Sequence, residues 1–223
     1  MSNSSKPNIG ATMIHVHHAI TRGLEVSNKQ ILTFIQAGYP NTAIREGFAT
    51  YVRTLGMVIN AHHSAEDNVI YPYLRSRLPD APYDQLSSEH KEMDVFLREL
   101  RESVEAFAVQ AQDKVTLNNL NRIITDLTNL WLPHIAKEQL YLYDSAITEA
   151  VMNEEEQIKL IGDATKHSLE QGNPALIVPF VLYNLPPEER AAMSALMPPE
   201  LIQEMIPKVW KPQWSPMQPF LLE

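Results

Sequence analysis

The sequence predicts an all-α protein: an up-down-up-down four-helix bundle followed by a proline-rich appendage of short helices. Four long stretches carry apolar residues at three- and four-residue spacing, and Pro, Gly, Asn and Asp are concentrated between them. No stretch combines sustained period-two alternation with β-branched enrichment, so we expect no sheet. Because the predicted connections are short, consecutive helices should lie antiparallel as neighbours in one bundle.

The four predicted helices are separated by helix-breaking residues. They cover residues 11–37, 42–77, 83–110 and 114–149. The first stops at the Gly-Tyr-Pro-Asn sequence that begins at Gly38. The second passes Pro72 and ends at Pro79 and Pro82.

The chain changes character after the fourth predicted helix. Ten of its sixteen prolines lie between Pro174 and Pro219, which excludes long helices there and predicts short ones. Residues 210–216 are expected to form an extended tail with aromatic anchors. We therefore divide the chain into a bundle at residues 10–150 and a C-terminal helical appendage at 151–223.

Composition excludes several classes of function. The chain has 223 residues, a formal net charge of −9 and no run of consecutive Lys or Arg, which argues against a nucleic-acid partner. It has no bilayer-spanning apolar stretch and no signal peptide, so we expect a cytoplasmic protein without a membrane partner. Because cysteine is absent, thiolate metal sites and iron–sulfur clusters are excluded, and a metal would need nitrogen and oxygen ligands.

Two segments repeat one metal-binding pattern. His62 and Glu66 in the second predicted helix correspond to His134 and Glu138 in the fourth, at a constant offset of 72 residues. Residues four apart lie on one face of an α-helix, so each His and Glu can point at the same ion. Two facing pairs would bring together two imidazoles and two carboxylates, and carboxylates can bridge two metals. A buried, unpaired carboxylate is destabilising, which favours the metal interpretation.

The other two helices offer one histidine each. His90 lies on the apolar, core-facing stripe of the third helix. In the first helix, the positions at −4, +3 and +7 are all apolar around His17, whereas around His18 they include Thr21 and Glu25. An unbroken repeat of 72 residues would instead favour His18. We prefer His17 because burial is the stronger criterion, and keep His18 as the alternative.

The four histidines are expected at one height in the bundle. The midpoints between His17 and His62, between His62 and His90, and between His90 and His134 each fall in or beside a predicted connection. Antiparallel helices of equal rise then place all four imidazoles at the same level.

Four neighbouring residues accompany the ligand candidates. His63 and Asp67 lie one step round the second helix and are candidates for further ligands or for hydrogen-bond partners of ligands. Tyr71 and Tyr143, which are also 72 residues apart, are interpreted as core aromatics.

These residues resemble the hemerythrin-like superfamily, in particular its HHE cation-binding domains. The resemblance covers roughly residues 10–150 and rests on segments 17–24, 62–72, 89–90 and 134–143. It implies two iron ions, or manganese, joined by an oxo or hydroxo bridge. The implied terminal ligands are His17, His62, His90 and His134, and the implied bridging carboxylates are Glu66 and Glu138.

The resemblance also implies a small ligand, namely O2, H2O2 or NO. Oxygen-carrying members have a second histidine one turn after the third-helix histidine, and here that position is Asp94. This departure argues against reversible oxygen carriage, although His63 offers a replacement nitrogen. Two alternatives stay open: an iron- or oxygen-sensing regulator with a protein partner at the C-terminal segment, and a di-iron oxidase or oxygenase of an unidentified small molecule.

Overall fold

The computed structural model describes residues 6–109 and 114–222. All secondary structure in these two ranges is helical, which confirms the predicted all-α class. The helices are α1 (Ile9–Ala37), α2 (Thr42–Ala65), α3 (Tyr71–Leu74), α4 (Tyr83–Val109), α5 (Lys114–Glu138), α6 (Ser145–Val151), α7 (Glu154–Glu170), α8 (Pro174–Tyr183), α9 (Pro187–Ala195) and α10 (Lys211–Trp214). None of these helices has both the length and the apolar character needed to cross a lipid bilayer.

Asparagine side chains begin the first two long helices. The Asn8 side chain accepts a hydrogen bond from the Ala11 backbone N–H at 3.0 Å, and Asn41 accepts one from the Ile44 N–H at 2.9 Å. Each bond satisfies an amide that has no partner within its own helix. Helix α1 ends at Gly38, whose positive φ of 72° suits glycine.

The four long helices pack around a core that is split into two apolar clusters. Helix α1 contacts α2 and α5, and α4 contacts the same two helices. Along α1, Met13 belongs to one apolar cluster and Ala19 to the other; along α4, Leu86 and Met93 divide in the same way. A layer of buried polar side chains therefore lies between the clusters, at the level of His17 and His90.

The second and fourth predicted helices are not continuous α-helices. Helix α2 runs into a π-helical segment at Glu66–Ile70, and α5 runs into a second one at Gln139–Tyr143. The fourth predicted helix also breaks at Asp144, which has an extended backbone and accepts a hydrogen bond from the Ala146 N–H at 2.8 Å. Asp144 thereby acts as the N-cap of the separate helix α6. The predicted end of the third helix, Gln110, lies outside the described residues.

The C-terminal segment packs against the long helices. Helices α7 and α8 contact α1 and α2, and Phe180 and Leu185 belong to the larger apolar cluster. The expected extended tail at residues 210–216 differs from the structure, in which α10 is followed by a 3-10 helix at Ser215–Phe220. The Trp214 indole N–H donates to the Ile206 carbonyl oxygen at 2.8 Å, so one expected aromatic anchor is buried in helical structure.

Candidate metal centre

The two repeated His-x-x-x-Glu pairs face one another in the buried polar layer. His62 Nε2 lies 3.3 Å from Glu66 Oε2, and His134 Nε2 lies 3.4 Å from Glu138 Oε1. All four side chains are at most 1% exposed. The four-residue spacing places each imidazole and its carboxylate on the same helix face, as the sequence predicts.

Helices α1 and α4 each add one imidazole. His17 Nε2 lies 3.3 Å from Glu138 Oε2 and 4.0 Å from Glu66 Oε1. His90 Nε2 lies 3.4 Å from Glu66 Oε2 and 3.0 Å from His134 Nε2. The structure thus brings together all six residues that the sequence analysis selected.

His18 lies outside this cluster. Its side chain is 48% exposed, and its Nδ1 lies 2.9 Å from Glu189 Oε2 on α9. His17 is fully buried instead. The apolar stripe of α1 therefore indicated the inward-facing histidine better than the 72-residue repeat did.

The donor atoms divide into overlapping groups. In each group the donor atoms lie within 4.8 Å of one another. The groups are His17, His62, Glu66 and Glu138; Glu66, His90, His134 and Glu138; and His63, His90 and His134. Because both carboxylates are common to the first two groups, the arrangement fits two neighbouring cations with two shared ligands.

Many of these donor atoms lack hydrogen-bond partners within the described residues. The unpartnered buried atoms at the centre are both ring nitrogens of His17, His62 and His63 and one carboxylate oxygen each of Glu66 and Glu138. Buried polar atoms are normally paired, because desolvation without a partner is destabilising. A cation among these atoms would satisfy them, so the donor set fits a metal centre.

The two buried carboxyl groups differ in protonation. Burial, together with the Glu138 carboxylate, raises the pKa of Glu66 to about 8. Burial also opposes ionisation of Glu138, but the adjacent imidazoles of His134 and His17 lower its pKa well below the usual value. The pair therefore retains a proton at neutral pH in the metal-free protein.

The imidazoles also differ in protonation. The pKa of His62 is lowered mainly by burial and, to a smaller extent, by the neighbouring His17. The pKa of His63 is lowered mainly by burial and, to a smaller extent, by His90. Both rings are therefore neutral, which is the form that binds metals. Burial opposes protonation of His90, but its contacts with Asp67 and Glu66 outweigh burial and raise the pKa of His90 to about 10.

Asp67 positions the His90 ring. The His90 Nδ1 atom lies 3.0 Å from Asp67 Oδ2, and Ser87 Oγ donates to Asp67 Oδ1 at 2.5 Å. This contact leaves His90 Nε2 facing the centre. Asp67 is absent from the three donor groups and instead contacts the ring of a candidate ligand. Of the two roles that the sequence left open for Asp67, the structure therefore favours that of hydrogen-bond partner of a ligand.

Glu89 holds His134 in the same way. The His134 Nδ1 atom lies 2.9 Å from Glu89 Oε2, and Lys137 Nζ donates to Glu89 Oε1 at 2.7 Å. Sequence reasoning missed this role. Glu89 precedes His90 but supports a histidine on another helix, so helix periodicity gives no indication of the contact.

Two tyrosines reach across the centre, and each one donates a hydrogen bond to the glutamate of the opposite helix. The Tyr143 hydroxyl donates to Glu66 Oε1 at 2.8 Å, and the Tyr71 hydroxyl donates to Glu138 Oε1. Each tyrosine follows the glutamate of its own helix by five residues. A π turn contains more residues than an α turn, so the two π segments rotate both tyrosines towards the face that carries the glutamates. Their interpretation as core aromatics was therefore incomplete.

His63 lies at the edge of the centre. Its ring stacks on His90 with centroids 4.1 Å apart and is only 3% exposed. The Trp131 ring covers the same side, with centroid distances of 5.5 Å to His17 and 6.1 Å to His63. Asp94, which occupies the position of the fifth histidine of oxygen carriers, belongs to none of the three donor groups.

Comparison with known protein families agrees with this geometry. The family model described as hemerythrin HHE cation binding domain matches residues 8–146, which is more than half of the chain. No match was found among curated proteins or among solved structures. The matched segment includes all six residues of the buried cluster, and the match confirms the resemblance seen in the sequence. The chain therefore belongs to the hemerythrin HHE cation-binding domain family.

Proposed function

We propose that this protein holds a dinuclear non-haem iron centre and uses it to bind or react with O2, peroxide or NO. The observation that carries the proposal is the sharing of Glu66 and Glu138 between two four-residue donor groups. Histidine nitrogens with carboxylate oxygens suit iron, and also manganese. Membership of a cation-binding family supports the same conclusion.

In this proposal each ion takes two imidazoles and shares both carboxylates. The ligands of the first ion are His17, His62, Glu66 and Glu138, and those of the second are His90, His134, Glu66 and Glu138. His63 is proposed as a further nitrogen donor for the second ion, because it forms a separate group with His90 and His134. When bound, iron would supply a redox-active ion that can take a small ligand.

The protein's own side chains would set the conditions of that chemistry. Trp131 and the apolar clusters keep bulk water away from the centre. Tyr71 and Tyr143 hold the two carboxylates with hydrogen bonds. Burial and the nearby Glu66 carboxylate raise the pKa of both phenols, so each hydroxyl stays protonated and acts as a donor.

We also propose the finer architecture. The long helices α1, α2, α4 and α5 are proposed to form an up-down-up-down bundle, since each contacts two of the others and the four histidines meet in one layer. The metal-binding unit is proposed to span residues 10–150, with residues 151–223 as an added helical segment.

Iron loading tests the proposal. Anaerobic addition of ferrous iron to the full-length, metal-free protein should give two bound ions per chain, and air should then produce near-ultraviolet absorption of ferric iron. His134→Ala should lose at least one ion, whereas the matched control His167→Ala should keep both. One ion or none in the unmodified protein, or equal metal content in both variants, would contradict a dinuclear centre at these residues.

A second candidate is a regulator whose C-terminal segment responds to the metal. Helix α7 contacts the π segment that begins at Glu66, and Ser64 Oγ lies 2.8 Å from His167 Nε2 on α7. Movement of Glu66 on metal binding would therefore reach α7 directly. Limited proteolysis tests this candidate: removal of metal should increase cleavage within residues 151–222, and equal cleavage with and without metal would exclude it.

A further inference from the structure

An apolar cavity lies beside the candidate centre, on the side of His62. It has a volume of about 120 Å³ and is lined by residues of α1, α2, α7, α8 and α9. Apolar side chains form most of its wall, including Met13, Val16, Val58, Ala164, Val178 and Met193. The few polar lining residues are Thr12, His62, Thr165 and Ser168.

A larger groove adjoins the cavity at the surface. The groove has a volume of about 800 Å³ and shares part of its lining with the cavity, including Ile161, Leu169, Val178, Met193 and Met197. Its outer part carries the exposed apolar side chains Ile158, at 52% exposure, and Leu196, at 41%. Because the two spaces share these lining residues, we infer that they join, and we call them together the passage; its inner part is lined by His62.

A glycine keeps the groove open. Gly162 lies within α7 and lines the groove, and a Cβ atom added there would meet nothing within 4 Å. Glycine inside a helix is less favourable than alanine by about 1 kcal/mol, so this position is not explained by helix stability. The missing side chain leaves room for an occupant.

The lining selects an uncharged occupant. Pockets of several hundred Å³ with apolar walls and a few polar groups are typical of small-molecule sites. Apolar cavities near the size of the inner space stay dry and accept apolar guests. Among the described residues, the charged groups that line the groove are Lys166 and Glu170, which have opposite charges, so neither a cationic nor an anionic head group is favoured.

His62 marks the inner end of the passage. The residue is 4% exposed, and its two ring nitrogens have no hydrogen-bond partner within the described residues. By contrast, the Nδ1 atoms of His90 and His134 are held by Asp67 and Glu89. The inner end of the passage therefore meets an imidazole whose Nε2 atom faces Glu66 and whose Nδ1 atom has no hydrogen-bond partner within the described residues.

We propose that the cavity and groove form one binding site for an uncharged, elongated apolar small molecule, such as a medium-chain alcohol, whose inner end lies against His62. The C-terminal helices α7, α8 and α9 supply most of the outer wall, which gives this segment a role in ligand binding. Binding itself requires no metal. Only the position of the ligand beside a bound metal ion depends on the proposed function.

Fluorescence titration of the full-length, metal-free protein tests the site. The neutral dye 1-aminoanthracene should gain fluorescence on binding, and 1-decanol should displace it. Decanoate and decyltrimethylammonium have the same chain with charged heads and should need concentrations about tenfold higher or more. Absence of dye binding, or better displacement by either charged compound, would overturn the proposal.

A matched pair of variants locates the site. Gly162→Trp should fill the groove and weaken dye binding about tenfold or more, whereas Asp163→Trp adds the same side chain at a neighbouring exposed position that does not line the groove. Ala164→Phe should obstruct the inner cavity and serves as a second test if Gly162→Trp does not fold. Equal dye affinity in a folded groove or cavity variant and in Asp163→Trp would exclude this site.

Two further measurements test whether the ligand reaches His62 and whether a second copy of the chain occupies the groove instead. Addition of 1-decanol to iron-loaded protein should change the iron absorption, because the inner end of the ligand lies at His62. Unchanged absorption despite dye displacement would remove the contact with His62, and failure of iron loading would leave the metal-free binding result intact. Light scattering should give the mass of one chain at the concentrations used. If the protein is instead a dimer, binds no dye and does not dissociate on addition of 1-decanol, the groove would be assigned to a second copy of the chain.

Discussion

At the level of single residues, the metal-free centre holds protons on groups that a metal must displace. Glu66 has a pKa raised to about 8 by burial and by the neighbouring Glu138. Burial lowers the pKa of His90, but the adjacent Asp67 and Glu66 outweigh burial and raise it to about 10. Both groups bind metals only when they are deprotonated.

We therefore expect metal binding at pH 7 to release at least one proton per chain. Each released proton makes the apparent affinity rise about tenfold per pH unit, so affinity should increase from pH 6 to pH 7. Isothermal titration calorimetry in two buffers with different ionisation enthalpies measures the number of protons released on metal binding. An observed enthalpy that is independent of the buffer would show that neither group holds a proton, against the raised pKa values.

The tyrosines give a second prediction at this scale. Tyr143→Phe removes the hydrogen bond to Glu66, and Tyr71→Phe removes the one to Glu138. Because residues that hold metal ligands affect affinity strongly, each change should weaken metal binding by about 10- to 100-fold. Tyr141→Phe is the matched control, since Tyr141 is 43% exposed. Competition with a chelator measures the affinities, and equal values in all three variants would mean that the hydroxyls do not position the carboxylates.

At the level of elements, the close approach of α1 to the second π segment determines the position of His17. A Cβ atom added at Gly10 would overlap the Tyr143 carbonyl oxygen, which is a backbone atom and cannot move alone. Helix α1 lies so close because glycine has no side chain at this contact. The same helix carries His17 two turns further on.

Gly10→Ala should accordingly destabilise the fold by about 1–3 kcal/mol through overpacking, and should also weaken metal binding. Gly162→Ala provides the opposite case, because its added Cβ meets nothing within 4 Å and alanine favours the helix by up to about 1 kcal/mol. Urea denaturation of the metal-free variants measures both effects. A stability of Gly10→Ala equal to that of the unmodified protein would show that α1 can shift without loss.

The π segments are the second feature at this scale. The two helices that carry a His-x-x-x-Glu pair change from α to π at the glutamate or directly after it. The π segments are Glu66–Ile70 and Gln139–Tyr143. In the first segment, the Tyr71 N–H bonds to the Glu66 carbonyl oxygen, five residues back. This wider turn lets one helix present a histidine, a glutamate and a tyrosine to the same region, which a regular α-helix does less well.

At the level of the whole molecule, the candidate centre lies between two apolar clusters. The larger cluster joins residues of the long helices with Phe180, Leu185, Trp214 and Phe220 from the C-terminal segment. The hydrophobic contribution of this cluster should keep the metal-free chain folded. The polar layer by itself opposes folding, because it places two carboxylates next to each other.

Metal removal should therefore lower the thermal stability without unfolding the protein at 25 °C. At a free metal concentration 1,000 times the dissociation constant, binding adds about 4 kcal/mol, which corresponds to about 10 °C in Tm for a chain of this length. Circular dichroism of protein with and without a chelator measures the change. Complete loss of helix on chelation would show instead that the clusters cannot hold the fold alone.

The residue pattern alone determined the all-α class and selected the six buried side chains of the centre. Helical periodicity fixes which residues of one helix share a face, so His62 with Glu66 and His134 with Glu138 could be paired without a structure. The apolar residues around His17 distinguished it from His18, because residues on the apolar stripe of a helix are the ones that become buried. These inferences succeed because each depends on contacts within one helix.

Contacts between helices were decided only by the tertiary structure. The support of His134 by Glu89, the crossing of Tyr71 and Tyr143 to the opposite carboxylates, and the passage along α7 all depend on how separate helices are rotated and spaced. Periodicity gives the direction of a side chain relative to its own helix axis and contains no information on the neighbouring axis. The sequence therefore selected the six residues of the buried cluster, and the packing of helices decided which side chains contact them and which cavity lies beside them.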